Sequence, residues 1–553
     1  MEELLEAIRN PFFIVYVSVL LSFCVVSGSQ QLGDKVELEF QAFRLQQYEL
    51  NGNVIGSKHF RVQYEAVSLN SKALRKCVVT SWRDLTSRHL DVLLETTVGA
   101  LLIIIPSDLD ALSPADKTLF MELEQKLATA RTDLAVYVSH SSPEANAILS
   151  DVQSASGVSI SATQQLINSI AANTFQFTST GSPSTSPLTY KPNNIIGRLS
   201  STERSAPTIA FVAHYDSHAG AAVGADSNGS GIVALLELLA IFRKLYEKPS
   251  TRPPFNLVFV WTAAGKYNYQ GARQFIEDFQ SDNSGRWFTY DNRLELAICV
   301  EAVGGPGPLW MHASKQPADG SAADRLLRRL RLAAPNQSVE LVTKKISMNQ
   351  PSAWEHEKFN IKRLPAVTLS RISSHDNSIR KSMLDTTSRI SLDALEKNIR
   401  TIAEAVLGHM LSLPEGGYST DPRVSADTSV LSRDAVDRQR LAHAVRLFAS
   451  RPRPVADEAA TVACAANLAV AVTVSPVSMH EVQIWPGTSD RLLAERVKPA
   501  VFDLIIACGV FGYLAMFYYV STAFFFSTFI RGFLERGYCV SFFLDCQQST
   551  ASA

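Results

Sequence analysis

Apolar residues gather at the two ends of this 553-residue chain and, between them, in short separated runs. Residues 11–26, "PFFIVYVSVLLSFCVV", form one unbroken stretch, and "SGSQQ" follows with Ser27 and Ser29 at −3 and −1 of a cleavage site. This short run predicts a signal peptide over 1–29. Its leading segment "MEELLEAIRN" is acidic, so an uncleaved signal anchor stays open. Leu504–Ile530 is a second run without a charge. As a helix it reaches roughly 40 Å at 1.5 Å per residue, enough for a bilayer core of about 30 Å. The two runs predict a single-pass type I protein with residues 30–503 lumenal and a cytosolic tail over 531–553. Arg531 and Arg536 follow the span while Arg496 and Lys498 precede it, so charge alone does not fix the orientation.

The interior divides by pattern. Residues 30–190 hold strand-like runs such as "VGALLIIIP" (98–106) and "LAVYVSH" (134–140), with amphipathic stretches around 115–130 and 143–153. A Ser/Thr/Pro-rich stretch, 178–192, interrupts them. Residues 191–413 alternate buried-strand runs ("TIAFVAHYD", "FNLVFVWTAA", "LELAICVEAV", "LPAVTLS") with helices such as "GIVALLELLAIFRKLYEK". That alternation predicts an α/β fold: a doubly wound sheet beside a smaller N-terminal α/β lobe. Residues 414–503 are Pro-, Ser- and Ala-rich with weak periodicity and read as a poorly specified membrane-proximal region.

Composition narrows the function. Fifty-two basic and 53 acidic residues leave a net charge of −1, which gives no nucleic-acid footprint. Seven cysteines without C-x-x-C spacing argue against a zinc ribbon or a disulfide scaffold. Two N-x-S sequons, at Asn228 and Asn336, are N-glycosylation candidates and suggest a glycoprotein.

The chemistry concentrates in "FVAHYDSHAGAAVGADSNGSG", residues 211–231. A strand ends in His214-x-Asp216, where ligands gather in such sheets. The turn "GADSNGSG" then opens a helix, with Ser230 expected as its cap. A phosphate cradle does not fit, because no Lys follows the turn. In this order the pieces resemble the di-zinc aminopeptidase family over residues 194–412. The resemblance implies five ligand positions for two metals, plus a carboxylate base. It places His214 as a ligand and Asp216 as the carboxylate orienting it. Ser227 stands at the bridging Asp. Gly265 and Lys266 stand at the Glu–Glu pair, Glu301 at an Asp ligand, and Lys381 at the last His. Gly265 carries no proton, and an ammonium about 4 Å from a dication is repelled by roughly 8 kcal/mol at an effective dielectric of 20. Asp216 and Glu301 are therefore expected to pair with Lys266 or Lys381 in place of metals, with no metal, no cofactor and no catalysis.

Further stretches, "FRLQQYELNG" (43–52), "GKYNYQGARQF" (265–275), "AWEHEKFNIKRLPAVTLS" (353–370) and "RVKPAVFDL" (496–504), are similar to the nicalin family, nicastrin-like relatives of those aminopeptidases. That resemblance implies a non-catalytic subunit of the endoplasmic-reticulum membrane. Its implied partners are nodal modulator and a small multi-pass membrane protein, at the ribosome-bound translocon that builds multi-pass membrane proteins. Asp503, Gly509 and Gly512 are the candidate partner-binding positions: a lumenal-edge ion and small residues that let a second helix approach. Two other readings remain: a zinc exopeptidase with altered ligands, and a nicastrin-like subunit recruiting substrate to an intramembrane protease.

Overall fold

The structure, a computed structural model, describes residues 37–70, 74–96, 98–155, 174–179, 192–203, 205–217, 222–281, 293–334, 337–413, 430–432, 434–455, 458–468, 471–479, 481–485, 489–497, 507–523, 526–527 and 530. The expected signal peptide, most of the 178–192 stretch, Asn336, Asp503 and the tail lie outside the described residues. By contacts the chain forms two units. One takes in Leu38–Asn146 and Phe177–Leu493, and so spans the expected boundary at 190; the other takes in Met1–Glu37, Ala147–Gln176 and Ala494–Ala553.

The first unit opens with strands β1 (Glu37–Arg44), β2 (Gln63–Ser68), β3 (Cys77–Ser81), β4 (Ala100–Ile105) and β5 (Ala135–His140). Strands β2 to β5 run parallel in sequence order, and β1 joins β5 antiparallel. Every residue of β4, "ALLIII", is buried, as expected for a parallel strand covered on both faces. Helix α1 (Pro114–Thr129) starts at Ser113, whose hydroxyl accepts the Asp116 N–H. It seats Phe120, Leu123 and Leu127 against this sheet and carries Glu124.

The larger sheet uses β6 (Asn193–Leu199), β7 (Thr208–His214), β8 (Asn256–Thr262), β9 (Leu294–Val300), β10 (Leu309–Ala313), β11 (Val339–Thr343), β12 (Ala366–Ser370) and β13 (Ala471–Pro476). Their order is β11-β10-β12-β9-β7-β8-β6-β13, with β7, β8, β9 and β12 parallel at the centre. Period-two alternation splits their side chains between two cores. Ile209, Phe211 and Phe259 face helices α2 (Ser230–Tyr246), α4 (Ala322–Ala333), α6 (Leu392–Met410), α7 (Arg438–Phe448) and α8 (Ala459–Leu468). Ala210, Val212 and Val258 face α3 (Gln270–Ser281) and α5 (His356–Ile361). This is the expected two-faced α/β layout.

One expectation is corrected. The described part of 414–503 is not loosely specified. It supplies α7, α8 and β13, and β13 pairs with β6 over six register positions from Asn193↔Pro476 to Arg198↔Ala471. Arg440 of α7 holds the buried Glu237 of α2 through two hydrogen bonds of 2.7 and 2.8 Å.

Residues 507–523 are helical, with Phe511, Tyr518 and Tyr519 more than 70% exposed. Among the described residues no helix is long and apolar enough to cross a membrane. The expected span is described only at 507–523, 526–527 and 530.

Candidate functional site

The carboxyl ends of the parallel strands deliver His214, Thr262, Glu301 and Ser370 to one end of the sheet. Beneath them a π-turn, Ala225–Gly229, leads into α2. Ser230 does not cap this helix as expected: its hydroxyl donates to the Asp226 carbonyl at 2.7 Å and accepts the Val303 N–H at 2.9 Å. The cap comes from Asp385, distant in sequence, whose carboxylate accepts the N–H groups of Asp226 (3.0 Å) and Ser227 (2.8 Å). A carboxylate at a helix start meets both unpaired donors and the positive end of the dipole.

Each of the aligned metal-site positions has a definite place in the structure. His214 is fully buried; neither ring nitrogen has a hydrogen bond among the described residues, and Nδ1 lies 3.8 Å from the buried Glu355. Asp216 does not orient His214. Its carboxylate accepts the backbone N–H of Gly265 at 2.7 Å and of Lys266 at 3.1 Å, so it pins the following turn. Gly265 is required sterically, since a Cβ there would stand 2.2 Å from the Cβ of His214. In the same turn Ala264, Asn268 and Tyr269 hold positive φ, an uncommon backbone for side-chain-bearing residues that tends to mark functional turns.

The charge cluster replaces the expected Lys–acid pairs. Glu301 is bound by Arg380, through Nε at 2.7 Å and Nη2 at 3.1 Å. Arg380 also donates to the Tyr269 hydroxyl at 2.9 Å and lies over the Trp354 ring at 4.1 Å. Burial alone would raise the Glu301 carboxyl, but Arg380, and after it Lys266, hold it down at about 2. The Lys266 ammonium makes no ion pair among the described residues. It donates to the Arg380 carbonyl at 2.8 Å and to the Ser227 hydroxyl at 3.4 Å. Burial lowers it to about 8, against the pull of Glu301. Lys381 is exposed. The prediction that Lys266 or Lys381 would bridge Asp216 or Glu301 therefore fails, and the neighbour of Lys381 does the work. Asp226 turns away from the cluster and accepts the Gly304 N–H at 2.6 Å. Burial, then the carboxylate of Asp385, raise it to about 6.

Sequence reading also missed Arg453, in the region taken as loosely specified. Buried to 2% exposure, its guanidinium donates to the carbonyls of Tyr215 (3.0 Å) and Gly224 (3.0 Å), to Phe448, and to the Asn228 amide oxygen at 2.9 Å. Asn228 is itself 1% exposed and donates to the Asp216 carbonyl. The sequon Asn228 is thus enclosed in the folded chain.

Comparison with known proteins places this geometry. Residues 194–406 match Peptidase family M28. A Caenorhabditis elegans protein named Nicalin is 50% identical over 544 residues, which cover 94% of this chain and 96% of that one. The chain belongs to the nicalin family. A human relative, BOS complex subunit NCLN, is 32% identical with 94% of each chain covered. Among solved structures, the γ-secretase component nicastrin shares the fold, with a TM-score of 0.57 at 10% identity over 82% of this chain and 99% of that one.

In this nicalin-family chain the residues present do not fit the metal pair of an M28 peptidase. An ammonium reaches the Ser227 hydroxyl at the bridging position, and a guanidinium covers the carboxylate of Glu301. Among the described residues no group of three His, Cys, Asp or Glu side chains is placed to hold a metal. The free cysteines Cys77, Cys299, Cys464 and Cys508 form no disulfide with one another.

Proposed function

We propose that the chain is a non-catalytic scaffold subunit of the endoplasmic-reticulum membrane, anchored by its C-terminal apolar segment with the folded region lumenal. It acts with nodal modulator and a small multi-pass membrane protein at the ribosome-bound translocon, where multi-pass membrane proteins are built. The observation that carries the non-catalytic half is the pocket chemistry: Arg380 on Glu301 and Lys266 on Ser227 set two cations where M28 chemistry needs two metals. The assembly half is supported by relatives named as subunits of the BOS complex. The membrane half is supported by the uncharged run Leu504–Ile530 and by the exposed apolar side chains of 507–523.

Affinity purification of the full chain in mild detergent, with mass spectrometry of what is retained, tests the assembly. Recovery of a nodal modulator and a multi-pass subunit is the expected result. Recovery of a presenilin-type protease instead would favour a substrate-recruiting subunit. Near-stoichiometric zinc with chelator-sensitive cleavage of aminoacyl reporters would overturn the non-catalytic reading.

A further inference from the structure

Away from the strand-end pocket, the sheet carries a cleft of about 940 Å³. Five cationic side chains line it, Arg293, Lys315, Arg325, Lys345 and Arg363, against one carboxylate, Glu295. That carboxylate is already engaged, at 2.8 Å from Arg325 and 3.7 Å from Arg293. Lys315, Lys345 and Arg363 are exposed and, among the described residues, have no ion-pair partner. The floor is apolar, with Ala313, Ala366 and Val367 buried at its base. An otherwise balanced chain thus concentrates uncompensated positive charge over a small apolar floor, which focuses an attractive field for anions.

The sheet edge indicates what kind of anion. Strand β11 is outermost: β10 pairs with one side, and no strand among the described residues pairs with the other. An unpaired edge presents backbone donors and acceptors that an extended peptide can complete. The strand runs directly into the cleft, since Val339–Thr343 continues through Lys344 to Lys345 and Ile346, both of which line it. Edge lysines also deter unwanted pairing. Here, however, Lys345 converges with Lys315 and Arg363 on one concavity rather than standing alone on the edge. We propose that this edge and cleft form a docking site for an extended acidic polypeptide segment of a partner protein. The segment adds a strand beside β11 and places its carboxylates in the cleft. The residues lining it are distinct from those of the strand-end pocket.

The test uses the full chain in detergent and a fluorescein-labelled peptide of alternating Glu and Val, read by fluorescence anisotropy. Saturable binding that weakens as salt rises is expected. The double variant Lys315→Gln/Lys345→Gln, and separately Arg363→Gln, should weaken it by about tenfold, in the range that rim charges control. These side chains are exposed, so an unchanged melting curve verifies the fold of each variant. A peptide N-methylated at alternate residues keeps its charge but loses edge pairing, and should bind about tenfold more weakly. No binding to the unaltered chain, equal binding by the variants, or equal binding of the N-methylated peptide overturns the proposal. Preference for phosphatidylserine vesicles or inorganic polyphosphate over the peptide also overturns it, because the site would then read anions without a backbone.

Discussion

The Glu301 carboxylate is 2% exposed, and an ion at that depth persists only with a partner. Replacing Arg380 by Met should therefore destabilise the folded unit by about 3–5 kcal/mol, because the carboxylate is left uncompensated. Adding Glu301→Gln should recover much of that loss, and a double-mutant cycle in chemical denaturation measures the coupling. The pH dependence has two opposite windows. Glu301 is depressed from 4.5 to about 2, so its contribution is present above pH 4.5 and is lost as pH falls through 2. Asp226 is raised from 3.8 to about 6, so its contribution is present below pH 3.8 and is lost as pH rises through 6. Asp226→Asn keeps an acceptor for Gly304 and should flatten the stability profile between about pH 4 and 6, by on the order of 2 kcal/mol. Melting curves taken across that range check it. The Arg380 pair was nearly legible: motif spacing pointed to this segment but to Lys381. Both lie in the 3-10 turn Ser378–Lys381, where successive side chains diverge by about 120°. A one-residue error in register therefore exchanges a buried cation for an exposed one.

Elements with strong periodicity were legible, and those whose apolar face is short were not. The buried strands Thr208–His214 and Asn256–Thr262 announce themselves by composition. Helix α7, "RQRLAHAVRLF", buries only Leu441, Ala444 and Phe448 among its arginines, too thin a stripe to stand out in a Pro- and Ser-rich stretch. Nor does any local signal show that Arg453 will close the loop before α2, since its partners there, Tyr215, Gly224 and Asn228, are more than two hundred residues away. Arg453→Ala removes the guanidinium donors to the Tyr215 carbonyl and the Asn228 amide oxygen, each worth about 1–3 kcal/mol when buried, while the Gly224 carbonyl keeps the Gly229 N–H. Hydrogen exchange should accelerate through 215–229 in that variant while the central strands stay protected. Unchanged exchange there would show that the guanidinium does not hold the loop.

At the scale of the molecule, the fold class was readable because helices and strands alternate through 194–412. Its completion was not, because the last strand of the large sheet arrives late in the chain. β13 lies beside β6 although almost three hundred residues separate them, and such pairing leaves no mark on local pattern. A fragment ending at 413 therefore lacks the strand that covers β6, the α7 arginine that neutralises Glu237, and the Arg453 clasp. It should express as insoluble or protease-sensitive material, whereas a fragment covering 38–497 should be soluble and melt cooperatively. Limited proteolysis of the two compares them directly.

The contact between Gly265 and His214 also bears on how the fold could change. Restoring a carboxylate at 265 demands a Cβ where the imidazole already sits, 2.2 Å from its Cβ. Restoring one at 227 buries a second acid close to Asp385, whose carboxylate already holds the Ser227 N–H. Each substitution taken singly disturbs the pocket before any metal could bind, and the cations at 266 and 380 would still occupy it. Single substitutions toward a metal site at 265 or 227 therefore work against the packing and the charge balance that the pocket already has.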